Sequence, residues 1–187
     1  MPSRLLATPL RVVLSAVAFA MMAVVAAFAW QSLQDAPEVV AFPLTAQVSV
    51  AAQVQLASVP RLRARGFTTL VDLRPDGESR DEPDSTEMAQ AAREAGLVFR
   101  YVPVPPTGTA APASVDALRD ILVASSGPVL LYCRTARRAA RAWSLVEAAR
   151  PDGLSTDAIL AAVSHTGQSA DDLRGVIDEK VRARAAR

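Results

Sequence analysis

Pro128-Val129-Leu130-Leu131-Tyr132-Cys133-Arg134-Thr135-Ala136-Arg137-Arg138 is the stretch on which the fold turns. An apolar run of strand length leads into Cys133, the only cysteine in the chain, and a helical pattern begins just beyond it. A strand, a tight loop and a helix N-terminus in that order aim a ring of backbone N–H groups at one point. Those groups, the helix dipole and nearby guanidinium groups favour a thiolate at the start of the ring. Cys133 is therefore a candidate nucleophile in an anion-binding loop of Arg134, Thr135, Ala136 and Arg137, with Arg138 as a candidate ligand. The rival reading is a buried structural thiol.

Outward from this loop, strand and helix patterns alternate. Ala46 to Val54 can form a first strand, and Ser58 to Arg65 reads as a short helix stopped by Gly66. Phe67 to Leu73 is a β-branched strand ending in the turn Arg74-Pro75-Asp76-Gly77-Glu78. Asp84-Ser85-Thr86-Glu87 fits a capping box, opening a helix that Gly96 closes. Leu97 to Val104 is the next strand, and a helix follows from about Ser114 to Ala124. After the loop, Ala139, Ala142, Trp143, Val146 and Ala149 mark one helical face. Two shorter helices close the chain, the first with Ser155 as N-cap. The alternation predicts an α/β domain, a parallel or mixed sheet covered by helices. We divide the chain into residues 1–34, a linker at 35–43, the α/β domain at 44–150 and a helical extension at 151–187.

The N-terminus reads as a membrane segment. From Val12 to Trp30 the chain is nearly all apolar, which as a helix spans roughly 28 Å, about the hydrocarbon thickness. Arg4 and Arg11 precede the run while Asp35 and Glu38 follow it, which predicts a cytoplasmic N-terminus. The expectation is a single-pass anchor in a bacterial inner membrane with the catalytic body on the extracytoplasmic side. Ala27-Phe28-Ala29 offers the alternative of a cleaved secretory signal.

Composition narrows the partners. The formal net charge of +1 gives no electrostatic case for nucleic acid. One cysteine leaves no internal disulfide, and a single histidine, His165, argues against a zinc site. No metal or other cofactor is expected. His165 reads as surface, and Trp143 and Phe99 as core.

Two enzyme chemistries use a Cys–loop–Arg cradle at a strand–helix junction. Protein-tyrosine-type phosphatases use C-x5-R, whereas rhodanese-type sulfurtransferases commonly use C-x4-R. Here Arg138 follows Cys133 by five positions, giving C-x4-R, and Ala139 stands at the sixth. The shorter ring leaves less room for tetrahedral phosphate and tilts the argument towards sulfur. A phosphatase also needs an acid for the leaving oxygen. The segment Val104 to Pro112 carries no carboxylate, which leaves Asp76 or Glu78 as the accessory groups, alongside Arg74. These three residues can equally form a turn that pins the sheet edge.

Two motifs carry a family resemblance. Gly66-Phe67-Thr68-Thr69-Leu70-Val71-Asp72-Leu73-Arg74-Pro75-Asp76-Gly77-Glu78 is similar to G-F-x-T-V-I-N-L-R-P-D-G-E, and Tyr132 to Arg138 is similar to Y/H-C-R-S-G-x-R. The chain thereby resembles the bacterial beta-lactamase-hydrolase-like, phosphatase-like domain family, also described as a sulfur transferase. The resemblance implies a dual-specificity-phosphatase-like fold. Ala136 stands where the family has glycine, and Ala51-Ala52-Gln53 where relatives often have S-G-Q.

The expected function is a membrane-anchored thiol enzyme that carries sulfane sulfur as a Cys133 persulfide, with Arg138 and the loop binding the anionic donor. The alternatives are hydrolysis of a phosphoester through a Cys133 phosphocysteine, or a catalytically weak module that binds an anion or senses redox state.

Overall fold

The computed structural model describes residues 7–107 and 109–186. The chain divides after Pro37 into two compact units. The first contains helix α1, Ala7–Asp35, in which Val12, Phe19, Met21 and Val24 are exposed. Among the described residues, no helix is long and apolar enough to cross a membrane. The membrane-spanning helix expected over Val12–Trp30 is therefore not borne out. The side chains at 28–30 of that run lie outside the described residues.

The second unit holds the sheet. Its elements in order are β1 (Ala41–Pro43), β2 (Val48–Ala51), α2 (Val59–Ala64), β3 (Thr69–Asp72), α3 (Ser85–Glu94) and β4 (Val98–Tyr101). After these come α4 (Pro112–Ala124), β5 (Val129–Tyr132), α5 (Arg137–Ala149), α6 (Thr156–His165) and α7 (Arg174–Ala185). Among the described residues the strands form one five-stranded mixed sheet in the order β1-β2-β5-β3-β4. Only β1 runs antiparallel to its neighbour, and its residues belong to the segment read from sequence as a linker.

The central strands β3 and β5 are buried at every position, as their continuous apolar patterns require of parallel strands covered on both faces. One face packs Leu70, Leu130 and Tyr132 against Met88 and Ala92 of α3. The other packs Val71, Leu131 and Cys133 against α5, α6 and α7. The chain thus leaves β3 towards one face and β5 towards the other. Such a switch point opens a crevice at the carboxyl ends of the two strands, where ligands of α/β sheets bind.

Local signals act as expected at several ends. Asp84 accepts from the Glu87 amide at 2.9 Å while Glu87 Oε2 accepts from the Asp84 amide at 3.0 Å, completing the capping box. Gly96 takes φ +73° at the end of α3. The sequence reading of α5 as one apolar face is too narrow. Residues 142–148 are all buried, because α4, α6 and α7 enclose the helix together with the sheet. Buried Glu147 is satisfied by the Leu154 amide at 3.1 Å and Arg150 at 2.9 Å. Arg184 of α7 closes the C-terminus of α5, donating to the carbonyls of Glu147, Arg150 and Gly153.

Beneath the crevice, Asp72 and Tyr132 are register partners on β3 and β5, both buried. The Asp72 Oδ1 atom accepts from the Arg74 amide at 2.8 Å. Burial pushes the Asp72 carboxyl up, against the opposing pull of the Tyr132 hydroxyl and Arg74. The hydroxyl faces the carboxyl without a full hydrogen bond, and burial with the Asp72 charge pushes it up as well. A carboxyl raised in the folded state stabilises the fold at low pH and loses that contribution as pH climbs through its raised value. Asp72→Asn keeps an oxygen for the Arg74 amide and removes the buried charge. It should raise Tm at neutral pH, with the gain fading as pH falls to about 4; thermal melts at both pH values check this.

Candidate active site

The loop from Cys133 to Ala136 joins the carboxyl end of β5 to the first turn of α5. Its first residue is anchored by the sheet: the Cys133 amide donates to Ala51 O at 3.4 Å. Arg134 O accepts from the Gln53 amide at 3.3 Å, and Ala52 bridges Thr135. The Ala51-Ala52-Gln53 segment is thus a brace for the loop. Among the described residues, the amides of 134 and 137–139 have no backbone acceptor, while the antiparallel bridge between Ala52 and Thr135 engages the loop backbone at 135–136. Free backbone donors at the head of a 13-residue helix are what an oxyanion satisfies.

Ala136 makes the turn. It has φ 68° and ψ −19° as N-cap of α5, and is the only described non-glycine residue with positive φ. An alanine Cβ in this region costs about 1–2 kcal/mol, so the tertiary structure imposes the conformation that glycine would take freely. Cys133 itself is fully buried, in the cluster that includes Ala136, Ala139 and Ala140.

Arg138 lies in the first turn of α5 and gathers the loops of neighbouring strands. Its Nη2 donates to Glu78 Oε1 at 2.7 Å, with both side chains 11% exposed, and its Nη1 donates to Val104 O at 2.9 Å. Three guanidinium N–H donors remain for an anion. Glu78 Oε2 is buried without a partner. Ala139, at the sixth position after Cys133, is buried, so no second arginine enters from that side.

The Arg74–Glu78 turn is structural for two of its three candidates. Arg74 is buried, pairs with Glu82 and donates to Pro83 O at 2.9 Å. Asp76 is spent on the start of α3: its oxygens accept from the Ser85 amide at 2.7 Å and the Ser85 hydroxyl at 2.6 Å, while its own amide donates to Tyr101. Only Glu78 reaches the Cys133 loop, through Arg138. Arg134 and Arg137 are exposed, and Arg141 is held by Asp172 at 2.8 Å. Sequence reasoning missed Val104 and the Gln53 brace, which act through backbone atoms that no side-chain pattern reports. His165 is exposed, and among the described residues no cluster of His, Cys, Asp or Glu has the makings of a metal site.

With this geometry in place, comparison identifies the lineage. Residues 41–150 match the model of the family described as beta-lactamase hydrolase-like protein, phosphatase-like domain. The chain belongs to that family. A beta-lactamase hydrolase-like protein of Agrobacterium fabrum is 34% identical over 103 residues, which cover 54% of this chain and 23% of that protein. The chain thus matches about a quarter of the length of that relative. A candidate phosphatase from Neisseria meningitidis has 25% identity and a TM-score of 0.64, covering 74% of this chain and 96% of its own. PTPMT1, solved with PI(5)P, superposes with a TM-score of 0.61 at 17% identity, covering 78% of this chain and 97% of its own. The family domain thus has the dual-specificity-phosphatase-like fold, and its fold neighbours are phosphatases. Sulfur transfer, which the C-x4-R spacing favours when read alone, receives no support from them. Ring size alone favours sulfur, whereas the amides of 134 and 137–139 stand without backbone acceptors at the helix head.

Ala136→Gly should relieve the left-handed strain and raise stability by about 0.5–1 kcal/mol, a Tm gain of roughly 1–4 °C for a chain of this length. Thermal unfolding at one pH measures it.

Proposed function

We propose that this domain is a cysteine-dependent phosphatase that hydrolyses phosphate monoesters through a phosphocysteine at Cys133. The observation that carries the reading is the set of amides at 134 and 137–139 without backbone acceptors, which follows the only thiol and sits at the switch point of a phosphatase-type sheet. The Cys133 thiolate forms an S–P bond as the ester P–O bond breaks, and the electron pair leaves with the ester oxygen. Water then breaks the S–P bond, releases phosphate and returns the thiolate. The amides and the remaining Arg138 donors hold the equatorial oxygens, on which charge is spread in the transition state.

Glu78 orients Arg138, and Val104 fixes its other edge. Because Asp76 is committed to Ser85, it does not serve as the acid. The reaction should therefore slow steeply as the leaving alcohol becomes less acidic. A second reading, an anion-binding module with little turnover, is favoured by the complete burial of Cys133. Turnover of an aryl phosphate separates the two.

The apolar run Val12–Trp30 and the basic residues before it support export of the domain, as an anchor or a cleaved signal. Intact mass of the mature protein tests which end remains.

Hydrolysis of p-nitrophenyl phosphate should vanish in Cys133→Ser and fall about 100- to 1,000-fold in Arg138→Ala. Arg138→Lys should recover little, because a point charge cannot bridge Glu78, Val104 and substrate together. Turnover unchanged by Cys133→Ser would refute the phosphocysteine.

A further inference from the structure

Resting on the phosphocysteine reading above, we propose that the group removed at this site is the terminal phosphoryl of a diphosphate. Two independent observations converge on that substrate class.

The first is the fate of the carboxyls at 72–78 and 102–116. Residues 102–115 contain neither Asp nor Glu. Asp76 is taken by Ser85, and Glu78 by Arg138. Asp72 pairs in register with Tyr132, whose side chain packs on the α3 face, away from Cys133. Asp116, the first carboxylate beyond the stretch, is ion-paired with Arg119 at 2.7 Å. A simple alcohol leaves poorly without a proton donor, and general acid catalysis of that step is worth about 100-fold or more. A phosphate departs as a stable anion and needs no such help.

The second is uncompensated positive charge on the loop itself. Arg138 and Arg141 are each matched by a carboxylate, Glu78 and Asp172. Arg134 and Arg137, one and four positions after the nucleophile, are exposed, and among the described residues neither has a carboxylate within ion-pair distance. Arg137 feels Asp172 at longer range, but both oxygens of that group are held by Arg141. Two such guanidinium groups beside a bound phosphoryl attract a second anionic group on the same substrate. In a diphosphate that second group is the leaving phosphate. Its charge grows as the bridging bond breaks, so the contacts tighten in the transition state.

The step balances without a further reactant. Cys133 Sγ bonds to the terminal phosphorus as the bridging P–O bond breaks, and the electron pair stays on the bridging oxygen of the departing phosphate. Water then breaks the S–P bond, giving orthophosphate, the thiolate and a proton.

The full chain is assayed on inorganic pyrophosphate, glycerol 3-phosphate and p-nitrophenyl phosphate, with Cys133→Ser as control. We expect kcat/KM for pyrophosphate to exceed that for glycerol 3-phosphate by about 100-fold. In the double variant Arg134→Ala, Arg137→Ala, the ratio of pyrophosphate to p-nitrophenyl phosphate turnover should fall about tenfold, and lysine at both positions should restore most of it. Glycerol 3-phosphate cleaved as fast as pyrophosphate, or a ratio unmoved in the double variant, overturns the diphosphate proposal and leaves the phosphatase reading standing. Wild-type protein inert towards p-nitrophenyl phosphate overturns both.

Discussion

The ion pair between Arg138 and Glu78 is the contact on which the arrangement of the site depends. It joins the first turn of α5 to the turn after β3, while the second Nη of Arg138 holds the backbone beyond β4 at Val104. Three loops from neighbouring parallel strands are tied by one guanidinium. Both partners are largely buried, so removing either leaves a desolvated charge behind. The same interaction leaves three Arg138 donors unused. A structural role and the proposed role in binding phosphate therefore meet in one side chain.

That clamp is possible because of chain topology. β3 feeds α3 on one face and β5 feeds α5 on the other, so the loops that follow them part and face each other across a crevice. Alanines 139, 140, 142 and 148 let α5 lie close against the sheet and keep its N-terminus over the end of β5. At the other end of α5, Arg184 satisfies the terminal carbonyls. The helix is held at both ends by arginine, once through a carboxylate and once through main-chain oxygens.

Ala136 shows where the loop stores its cost. A residue with a Cβ is held at φ 68° because Ala51 and Gln53 brace the loop on one side and α5 begins immediately on the other. Strain of this kind persists only where surrounding contacts over-determine the backbone. It lies within the site, beside the buried thiol that the proposed chemistry uses.

Much of this was legible in the residues alone. The strand–loop–helix around Cys133, the capping box at Asp84 and the glycine stop at Gly96 rest on local chemistry, and the structure repeats them. The left-handed turn at Ala136 was readable too, because its place in the motif belongs to glycine. Less was legible about roles. Arg74, Asp76 and Glu78 share one short turn, yet the first two hold the turn and α3 in place and only the third reaches the loop of Cys133. Counting residues from Cys133 to Arg138 pointed to sulfur, whereas the unpartnered amides of the loop and helix head and the phosphatase fold around them support phosphate. By itself the sequence determined the elements and the place of the lone cysteine at the strand–helix junction, since those follow from periodicity, caps and spacing along the chain. Only the tertiary structure decided which charge meets which, because Glu78 and Arg138 are 60 residues apart and are brought together by the parallel pairing of β3 and β5.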